Sequence, residues 1–289
     1  MSVTSVTQHT AKNQFVDAPN GVRFAYRRFG RESGTPVLFL QHFRGDIDNW
    51  DPAVVDAIAA EREVILLDNR GVGLSSGTVP ATVTEMARDV IAFTDALGLE
   101  TVDLLGFSLG GFVAQEVALI RPPLVRRLVL TGTGPRGGVD MHGWRKDIAD
   151  HARNPDLGGE DLLYIFFAHT DSSQAKGMEY LGRFLARTEE RDIFTTLAAR
   201  DAQYDAIVEW GVPDHAALSR LRAITQPTLI TQGDNDLMIP TPNSHLMAGL
   251  IPGAELHIYE DASHASLFQY PERYATDVNT FLGRSRSES

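Results

Sequence analysis

A serine between two glycines, in the pattern Gly-x-Ser-x-Gly, occurs twice in this sequence, at Ser75 and at Ser108. A nucleophilic serine needs a sharp strand-to-helix turn, where the glycines relieve crowding around a strained backbone. Ser108 has this context, because an apolar run at 102–105 precedes it and a helical pattern at 111–118 follows it. Ser75 has neither, since a polar loop precedes it and Pro80 follows soon after. The sequence therefore predicts Ser108 as a nucleophile and Ser75 as a loop residue.

A serine hydroxyl needs a general base, and the base needs a carboxylate that orients it. Among the nine histidines, His264 is the best candidate for the base, because it lies in the loop after the last predicted strand. Two acidic residues follow another predicted strand, 228–230. Asp234 is suited to closing the turn, and Asp236 is the candidate for the orienting acid. The order Ser108, Asp236, His264 matches one of the known orders of such triads.

The composition argues against several other kinds of function. The 289 residues contain no cysteine, which excludes disulfides, thiolate metal sites and a cysteine nucleophile. The formal net charge of −12 argues against nucleic-acid partners and against a polybasic membrane-binding surface. No apolar run is long enough to span a membrane, and the first residues lack the pattern of a signal peptide. We therefore expect a cytoplasmic protein that acts on a small molecule, with no cofactor and no metal.

The elements that must position these side chains alternate along the chain. Helical patterns such as 83–97, which ends at Gly98, lie between short apolar runs. Several of these runs are continuous, as is typical of strands covered on both faces, whereas 22–27 alternates and suggests an outer antiparallel strand. The runs are 37–40, 64–67, 102–105, 128–130, 228–230 and 256–259. This alternation predicts an α/β fold, with a mostly parallel central sheet and helices on both faces.

The alternation breaks after about residue 135, where helical patterns follow one another without a comparable strand. Strand character resumes at Thr228, as if it had been interrupted. A second helical domain and a cap inserted into the sheet domain both fit this pattern, and the resumption favours the cap. We predict a core domain of residues 1–134 and 218–289, with a helical cap, or lid, of residues 135–217.

Taken together, these segments resemble the α/β-hydrolase superfamily, in its serine-hydrolase branch with a helical cap. The resemblance runs from about residue 22 to 281, with the cap only loosely matched. Four segments carry it: the elbow 106–111, the loop 68–75, the strand end 233–236 with Pro240, and the late His264. These motifs are specific for the fold and much less so for the substrate, because one fold hosts many reactions.

The resemblance implies an oxyanion hole that is built from two backbone N–H groups. Leu109, after the nucleophile, would supply one of them. The other would come from the segment 41–45, Gln-His-Phe-Arg-Gly, where family members commonly carry His-Gly. Alignment of this segment with a His-Gly-Phe-x-Gly pattern gives Phe43 as the second donor. A register shifted by one residue gives Arg44 instead.

Six residues are candidates for substrate binding. Arg44, beside the hole, could bind a substrate carboxylate, form a salt bridge to Asp46 or Asp48, or face water. Phe107 adjoins the nucleophile, and aromatic residues of the cap region could line a pocket for an apolar group. These cap residues are Trp144, Tyr164, Phe166 and Phe167. Aromatic side chains at helical spacing also occur in cores, so a packing role is an alternative for each.

A serine at the elbow narrows the chemistry, because dehalogenases and epoxide hydrolases of this superfamily carry aspartate there. Serine supports acyl transfer, and the segment 106–115 is similar to enol-lactonase and cofactor-free haloperoxidase-like members. The leading hypothesis is hydrolysis of a carboxylic ester or lactone of a small, largely apolar substrate. Perhydrolysis and hydrolysis of a C–C bond with the same triad are alternatives, and a non-hydrolytic ligand-binding role is the least favoured. The choice between a monomer and a homodimer stays open.

Overall fold

The computed structural model describes residues 6–32 and 34–285. In these residues eight strands form one sheet. The strands are β1 (Gln14–Asp17), β2 (Arg23–Gly30), β3 (Val37–Leu40), β4 (Glu63–Leu67), β5 (Val102–Phe107), β6 (Val125–Thr131), β7 (Thr228–Gly233) and β8 (Glu255–Tyr259). Their spatial order is β1-β2-β4-β3-β5-β6-β7-β8. β2 pairs antiparallel with both β1 and β4, and the pairs from β4 to β8 are parallel.

Helices cover both faces of this sheet, which confirms the predicted α/β fold. The described chain has eleven α-helices: α1 (Pro52–Ala59), α2 (Val83–Ala96), α3 (Leu109–Ile120), α4 (Lys146–Ala152), α5 (Gly159–Phe166), α6 (Asp171–Phe184), α7 (Leu197–Trp210), α8 (His215–Leu218), α9 (Pro242–Leu250), α10 (Ser266–Gln269) and α11 (Pro271–Gly283). No described helix combines the length and the apolar character that crossing a membrane requires.

The central strands are continuous apolar runs because both of their faces are covered. Every residue of β3 and of β5 is buried, whereas four of the five residues of the edge strand β8 are only partly buried. Parallel strands end at the same edge of a sheet, so the segments after their carboxyl ends lie side by side. In the register of β3 and β5, Leu40 pairs with Gly106. The segment after β3 is thereby placed next to the elbow after β5.

Five α-helices lie between β6 and β7, with no strand among the described residues of that stretch, and the first four of them are α4 to α7. We refer to these four as the insertion helices. They contact the sheet domain at several points, and one of these is the ion pair of Arg183 on α6 with the buried Asp51, at 2.7 Å. Stacking of Trp210 on Phe112, with ring centroids 5.3 Å apart, joins α7 to α3. The division into a core and a cap with the boundaries given above stays a prediction.

Candidate active site

Ser108 lies at the turn between β5 and α3. Its backbone conformation, with φ of 55° and ψ of −119°, is one that residues other than glycine rarely adopt. Two glycines make room for this turn. A Cβ atom at Gly106 would lie 2.3 Å from the carbonyl oxygen of Gly110, and one at Gly110 would lie 2.0 Å from that of Leu40. Both contacts are with backbone, which cannot move away. Gly106 is therefore required where β5 meets the first turn of α3, and Gly110 where α3 meets β3.

The structure brings Ser108, His264 and Asp236 into one chain of hydrogen bonds. Ser108 Oγ lies 2.8 Å from Nε2 of His264, and Nδ1 of the same ring lies 2.8 Å from Oδ2 of Asp236. All three residues are buried. The other carboxylate oxygen of Asp236 accepts the backbone N–H groups of Met238 and Ile239, at 2.8 and 2.9 Å. The carboxylate is thus fixed on one side, and it can fix the tautomer and orientation of His264 on the other.

Asp234, the alternative acid, faces away from this chain of hydrogen bonds. Its two carboxylate oxygens accept the backbone N–H groups of Asp261 and Ala262, at 3.0 and 3.1 Å. It thereby joins the end of β7 to the loop that carries His264. Ser75 is likewise engaged elsewhere, because its Oγ donates to the carbonyl of Asp68 and accepts the N–H of Ala25. Asp234 thus connects two loops, and Ser75 lies in a loop, as the sequence predicts.

The segment after β3 forms a tight turn, in which the N–H of Gly45 donates to the carbonyl of His42 at 3.1 Å. Within it, the N–H of Arg44 donates to Oε1 of Gln203 at 2.7 Å. Neither the N–H of Phe43 nor that of Leu109 has an acceptor among the residues that the structure describes. Two free N–H groups next to a serine can bind a negatively charged oxygen. The Arg44 N–H, in contrast, is already occupied.

Gln41 and His42 brace this turn from inside. The side-chain amide of Gln41 donates to the carbonyl of Asp46 at 2.9 Å, and its oxygen accepts the N–H of His42 at 3.0 Å. Burial lowers the pKa of His42 to about 3, so the ring is neutral near pH 7. Its Nδ1 lies 2.8 Å from the carbonyl oxygen of Phe43, and a neutral ring makes this contact with Nδ1 protonated. His42 therefore holds the turn and carries no charge.

A cavity of about 440 Å³ opens in front of Ser108 and His264. Most of its wall is apolar. The lining residues come from the turn after β3, the segment from the end of α4 through α5, the end of α6, residues 194–195 and the loop after β7. The main apolar residues are Leu162, Ile165, Phe166, Leu181, Phe184 and Met238. Arg44 also lines it. Two of the six residues proposed for substrate binding, Arg44 and Phe166, are thus brought to this cavity.

The other four lie outside the cavity wall, two of them because they are buried in the core. Phe107 is 0% exposed and packs beneath the active-site ring, with its centroid 5.1 Å from that of His264. Phe167 is also 0% exposed, and its ring lies 5.9 Å from that of Tyr180. Both side chains therefore lie among packed side chains and not at the cavity. Both residues therefore have a packing role in the core, which was the alternative to substrate binding.

Trp144 and Tyr164 are partly buried and pack against neighbouring side chains. Trp144 packs edge-on against Phe43, with ring centroids 5.1 Å apart, so it contacts the turn after β3. Tyr164 stacks on His151 at 4.0 Å, and its hydroxyl donates to Asp147 at 3.1 Å. On α5, the residues that line the cavity are Gly159, Leu162, Ile165 and Phe166. The helical period turns Tyr164 to the opposite face.

The Arg44 guanidinium has no carboxylate partner within 4.0 Å among the described residues. Its Nη1 donates to the carbonyls of Ala152 and Asn154, at 3.3 and 2.7 Å, beyond the end of α4. Burial lowers its pKa from the usual value of 12.5, and the guanidinium stays charged. Asp48, one of the partners considered for it, instead pairs with Arg27 at 2.6 Å. Arg44 therefore brings a positive charge to a mostly apolar cavity.

Sequence reasoning missed two polar residues at the site, Gln203 and Thr195. Gln203 accepts the N–H of Arg44, and Thr195 donates its hydroxyl to the Arg44 carbonyl at 2.7 Å. Neither belongs to a motif, and both are distant from the turn in sequence. The part of the cavity wall on α5 could be predicted from the sequence, because the apolar residues of this helix recur at helical spacing. Clusters of three or more His, Asp or Glu side chains that could hold a metal ion are absent from the described residues.

Several known proteins are similar to this chain. A family model described as "alpha/beta hydrolase fold" matches residues 35–271. A solved α/β-hydrolase fold protein from Chitinophaga pinensis is 38% identical, with a TM-score of 0.91, and the match covers 96% of this chain and 100% of that one. A 2-hydroxy-6-oxononadienedioate/2-hydroxy-6-oxononatrienedioate hydrolase from Klebsiella pneumoniae is 32% identical over 82% of this chain and 81% of its own length. The solved structure of Est816, titled an N-acyl homoserine lactone degrading enzyme, is 26% identical, with a TM-score of 0.72 over 93% of this chain and all of that one.

Proposed function

The chain belongs to the α/β-hydrolase fold family, and on that premise we propose that it is a serine hydrolase that cleaves a carboxylic ester or a lactone. One observation carries the proposal. Two hydrogen bonds of 2.8 Å link Asp236 through His264 to the Ser108 hydroxyl, which faces a cavity large enough for a small molecule. This is the arrangement that converts a serine hydroxyl into a nucleophile at neutral pH.

In the first half of the proposed reaction, Ser108 Oγ attacks the carbonyl carbon of the substrate, and Nε2 of His264 takes the hydroxyl proton. Asp236 stabilises the imidazolium that forms. The carbonyl oxygen becomes an oxyanion and accepts hydrogen bonds from the N–H groups of Phe43 and Leu109. When the tetrahedral intermediate collapses, the C–O bond to the alcohol breaks and His264 returns its proton to the leaving oxygen. An acyl group then remains on Ser108.

In the second half, water replaces the alcohol. His264 takes a proton from this water, and the resulting hydroxide attacks the acyl carbon through a second oxyanion. The bond between the acyl carbon and Ser108 Oγ breaks, and the proton on His264 goes back to the serine. The products are a carboxylic acid and the regenerated enzyme. A lactone follows the same steps, with both products joined as one hydroxy acid.

The choice of Phe43 over Arg44 as the second oxyanion donor is also a proposal. The free N–H of Phe43 supports it, and so does the 2.7 Å hydrogen bond that occupies the N–H of Arg44. The apolar wall of the cavity supports a substrate with a largely apolar acyl or alcohol group. Arg44 keeps its proposed role beside the hole, where an unpaired guanidinium favours a polar or anionic end of such a substrate.

A panel of nitrophenyl esters with acyl chains of increasing length tests the proposal. Wild type is expected to turn over at least one ester, and Ser108→Ala is expected to lower kcat/KM by at least ~10³-fold, because the nucleophile is lost. Ser75→Ala is the matched control, since it alters the other Gly-x-Ser-x-Gly motif. Folded Ser75→Ala is expected to retain activity. Equal turnover by wild type and Ser108→Ala would overturn the assignment of the nucleophile.

Hydrolysis of a C–C bond is a second candidate, favoured by the relative that is named a hydrolase of an oxo-dienedioate. The same three side chains would serve, with a carbanion or enolate in place of the alkoxide as the leaving group. Loss of the absorbance of a 2-hydroxy-6-oxo-dienoate on addition of enzyme would support this reaction. Perhydrolysis is distinguished from both reactions by an assay with peroxide, bromide and a dye whose absorbance changes when it is brominated. Only perhydrolysis is expected to change the dye.

A further inference from the structure

We propose that Gln203, on α7, is a positioning residue for the oxyanion hole: it holds the turn 42–45 in the conformation that aims the Phe43 N–H at the reacting oxygen. This inference rests on the proposed function, because it concerns the same site. It assigns a role in the chemistry to an insertion helix that carries none of the three reacting side chains.

The first observation is a strained backbone. Arg44 has φ of 63°, in the left-handed region that favours glycine, and it is the third residue of the turn closed by the Gly45 N–H. Glycine usually occupies that position when φ is positive, as in type II turns. A residue with a side chain keeps this conformation only where its surroundings hold it there. Something outside the turn must therefore stabilise Arg44.

The second observation is that the peptide bond between Phe43 and Arg44 is held on both sides. Its carbonyl oxygen lies 2.8 Å from Nδ1 of His42, and its N–H donates to Oε1 of Gln203 at 2.7 Å. The Arg44 carbonyl, one peptide further on, accepts the Thr195 hydroxyl at 2.7 Å. The neutral ring of His42 and the neutral amide of Gln203 keep these roles across the range near pH 7.

The third observation is burial. Gln203 is 1% exposed, so water does not compete for its oxygen, and its loss would leave the Arg44 N–H without an acceptor. The turn would then relax towards negative φ at Arg44. Rotation of that peptide moves the preceding residue, whose N–H must stay aligned with that of Leu109 for both to bind one oxyanion. A displacement of about 1 Å in such a site can cost 10²-fold in rate.

Three variants give the primary test, with steady-state kinetics on the best ester of the panel. Gln203→Met removes the acceptor and is expected to lower kcat about 10- to 100-fold, with KM within about threefold of wild type. Gln203→Glu keeps an acceptor oxygen and is expected to recover most of the loss. Asp205→Asn changes an exposed residue of the same helix and is expected to match wild type.

A boronic acid provides a readout that a merely structural role would not move. It forms a tetrahedral adduct with Ser108 and places an oxygen in the oxyanion hole. Gln203→Met is expected to weaken its binding by about the same factor as kcat, while binding of the corresponding product carboxylic acid changes less. Equal weakening of both ligands would overturn the proposal, because it would indicate general damage to the cavity.

A double-mutant cycle of Gln203→Met with Arg44→Gly tests whether backbone strain at Arg44 is the reason that Gln203 is needed. Glycine adopts positive φ without strain, so the kcat penalty of Gln203→Met is expected to be several-fold smaller when Gly replaces Arg44. An unchanged penalty would overturn the proposed cause. If Gln203→Met does not fold, Thr195→Val gives a second test through the Arg44 carbonyl, with an expected decrease in kcat of about three- to tenfold. Unchanged kcat in folded Thr195→Val would then count against the proposal.

The inference and the proposed function fail in different ways. If Ser108→Ala retains full activity, the nucleophile and everything built on it are wrong. If Ser108→Ala is inactive and Gln203→Met behaves as wild type, only the positioning role is overturned.

Discussion

Asp46 is a buried carboxyl group that is difficult to ionise. Burial, with the nearby Asp192 and Asp48, raises its pKa from 3.8 to about 8, although the hydrogen bond from the Asp48 backbone and the charge of Arg191 act in the opposite direction. One of its oxygens accepts the backbone N–H of Asp48 at 2.9 Å and caps the short helical turn there. Asp68 belongs to the same buried group, because burial and Asp192 raise its pKa as well. The turn after β3 thus lies next to carboxyl groups that prefer to be protonated.

The pH dependence of stability follows from this. An unfolded Asp loses its proton near pH 4, whereas folded Asp46 keeps it until about pH 8, so between these values the folded state binds more protons. The free energy of unfolding therefore falls as pH rises through this window, and the contribution is fully present below it. In Asp46→Asn, which keeps the capping oxygen, the decrease should be smaller by about 1 to 3 kcal/mol. Urea unfolding across the window measures this. Because Asp68 is still present in Asp46→Asn, the free energy of unfolding of this variant should still fall with pH, but less steeply than that of wild type. Identical pH dependence in the two proteins would contradict the prediction.

The pH dependence of activity is expected to come from His264. Its ring must be neutral to take the Ser108 proton, so kcat/KM should fall in acid with a slope of one in a logarithmic plot. His42 adds nothing to this limb between about pH 5 and pH 8, because burial lowers its pKa to about 3. The measurement is kcat/KM across that range with a neutral ester. A flat profile would be evidence against His264 as the base.

At the scale of elements, the contact between β3 and the elbow leads to a prediction about glycine. In Gly110→Ala the new Cβ atom would meet the carbonyl oxygen of Leu40 at 2.0 Å, so the strand or the helix must shift. We expect a loss of stability of about 3 kcal/mol or more, or failure to fold. Gly249→Ala on α9 is the control, because nothing lies within 4 Å of the new atom. It should be neutral or stabilising by up to about 1 kcal/mol. Chemical unfolding of both variants tests the contrast, and equal effects would contradict it.

The elements that sequence reasoning identified are those with strong periodicity. The strands β3 to β8 are all close to predicted apolar runs. In β3 to β7 this is because burial on both faces leaves a continuous apolar sequence. β1 was not predicted, since only alternate residues of Gln14–Asp17 are even partly buried. The short helix α1 was also missed, although Pro52 at its start and Asp51 as its N-cap are typical signals. Short elements provide too few periods for a pattern to be recognised.

The same reasoning explains which side chains of the candidate site could be selected from the sequence. Ser108, His264 and Asp236 each follow the end of a strand, so the order of strands and a few motifs were enough to select them. Gln203 and Thr195 act on a backbone turn, and no residue type is specific for that task. Of the aromatic candidates, only Phe166 reaches the cavity. Which face of a helix points inward depends on packing between helices, which one sequence does not reveal.

At the scale of the whole molecule, Arg187 joins the N-terminal segment to the insertion. Its guanidinium donates to the carbonyls of Gln8 and His9, each at 2.8 Å, and to that of Ala11 at 3.0 Å, and its side chain is only 5% exposed. It also lies 3.6 Å from Asp48. One side chain thus connects the residues before β1, the segment after α6 and the short helical turn that contains Asp48.

Arg187→Lys is expected to destabilise the protein by about 2 to 3 kcal/mol, because an ammonium cannot reproduce a planar set of donors to three carbonyls. Cleavage by protease near residues 6–13 should increase before global unfolding. Arg145→Lys is the control, since the Arg145 side chain is 62% exposed and its ion pair with Asp147 is worth little. Thermal unfolding and limited proteolysis measure both effects. If the two variants behaved alike, the N-terminal segment would not depend on Arg187.

The hydrogen bond between Gln203 and the turn after β3 also limits how this enzyme can be re-engineered. Exchanging the helices of an insertion between relatives is an attractive way to build chimeras with new specificity, since α5 and α6 supply part of the cavity wall. A graft that replaced α7 as well would remove the acceptor for the Arg44 N–H. Such a chimera could bind its new substrate and still turn it over slowly. A donor sequence with an acceptor at position 203, or a scaffold with glycine at position 44, avoids that outcome.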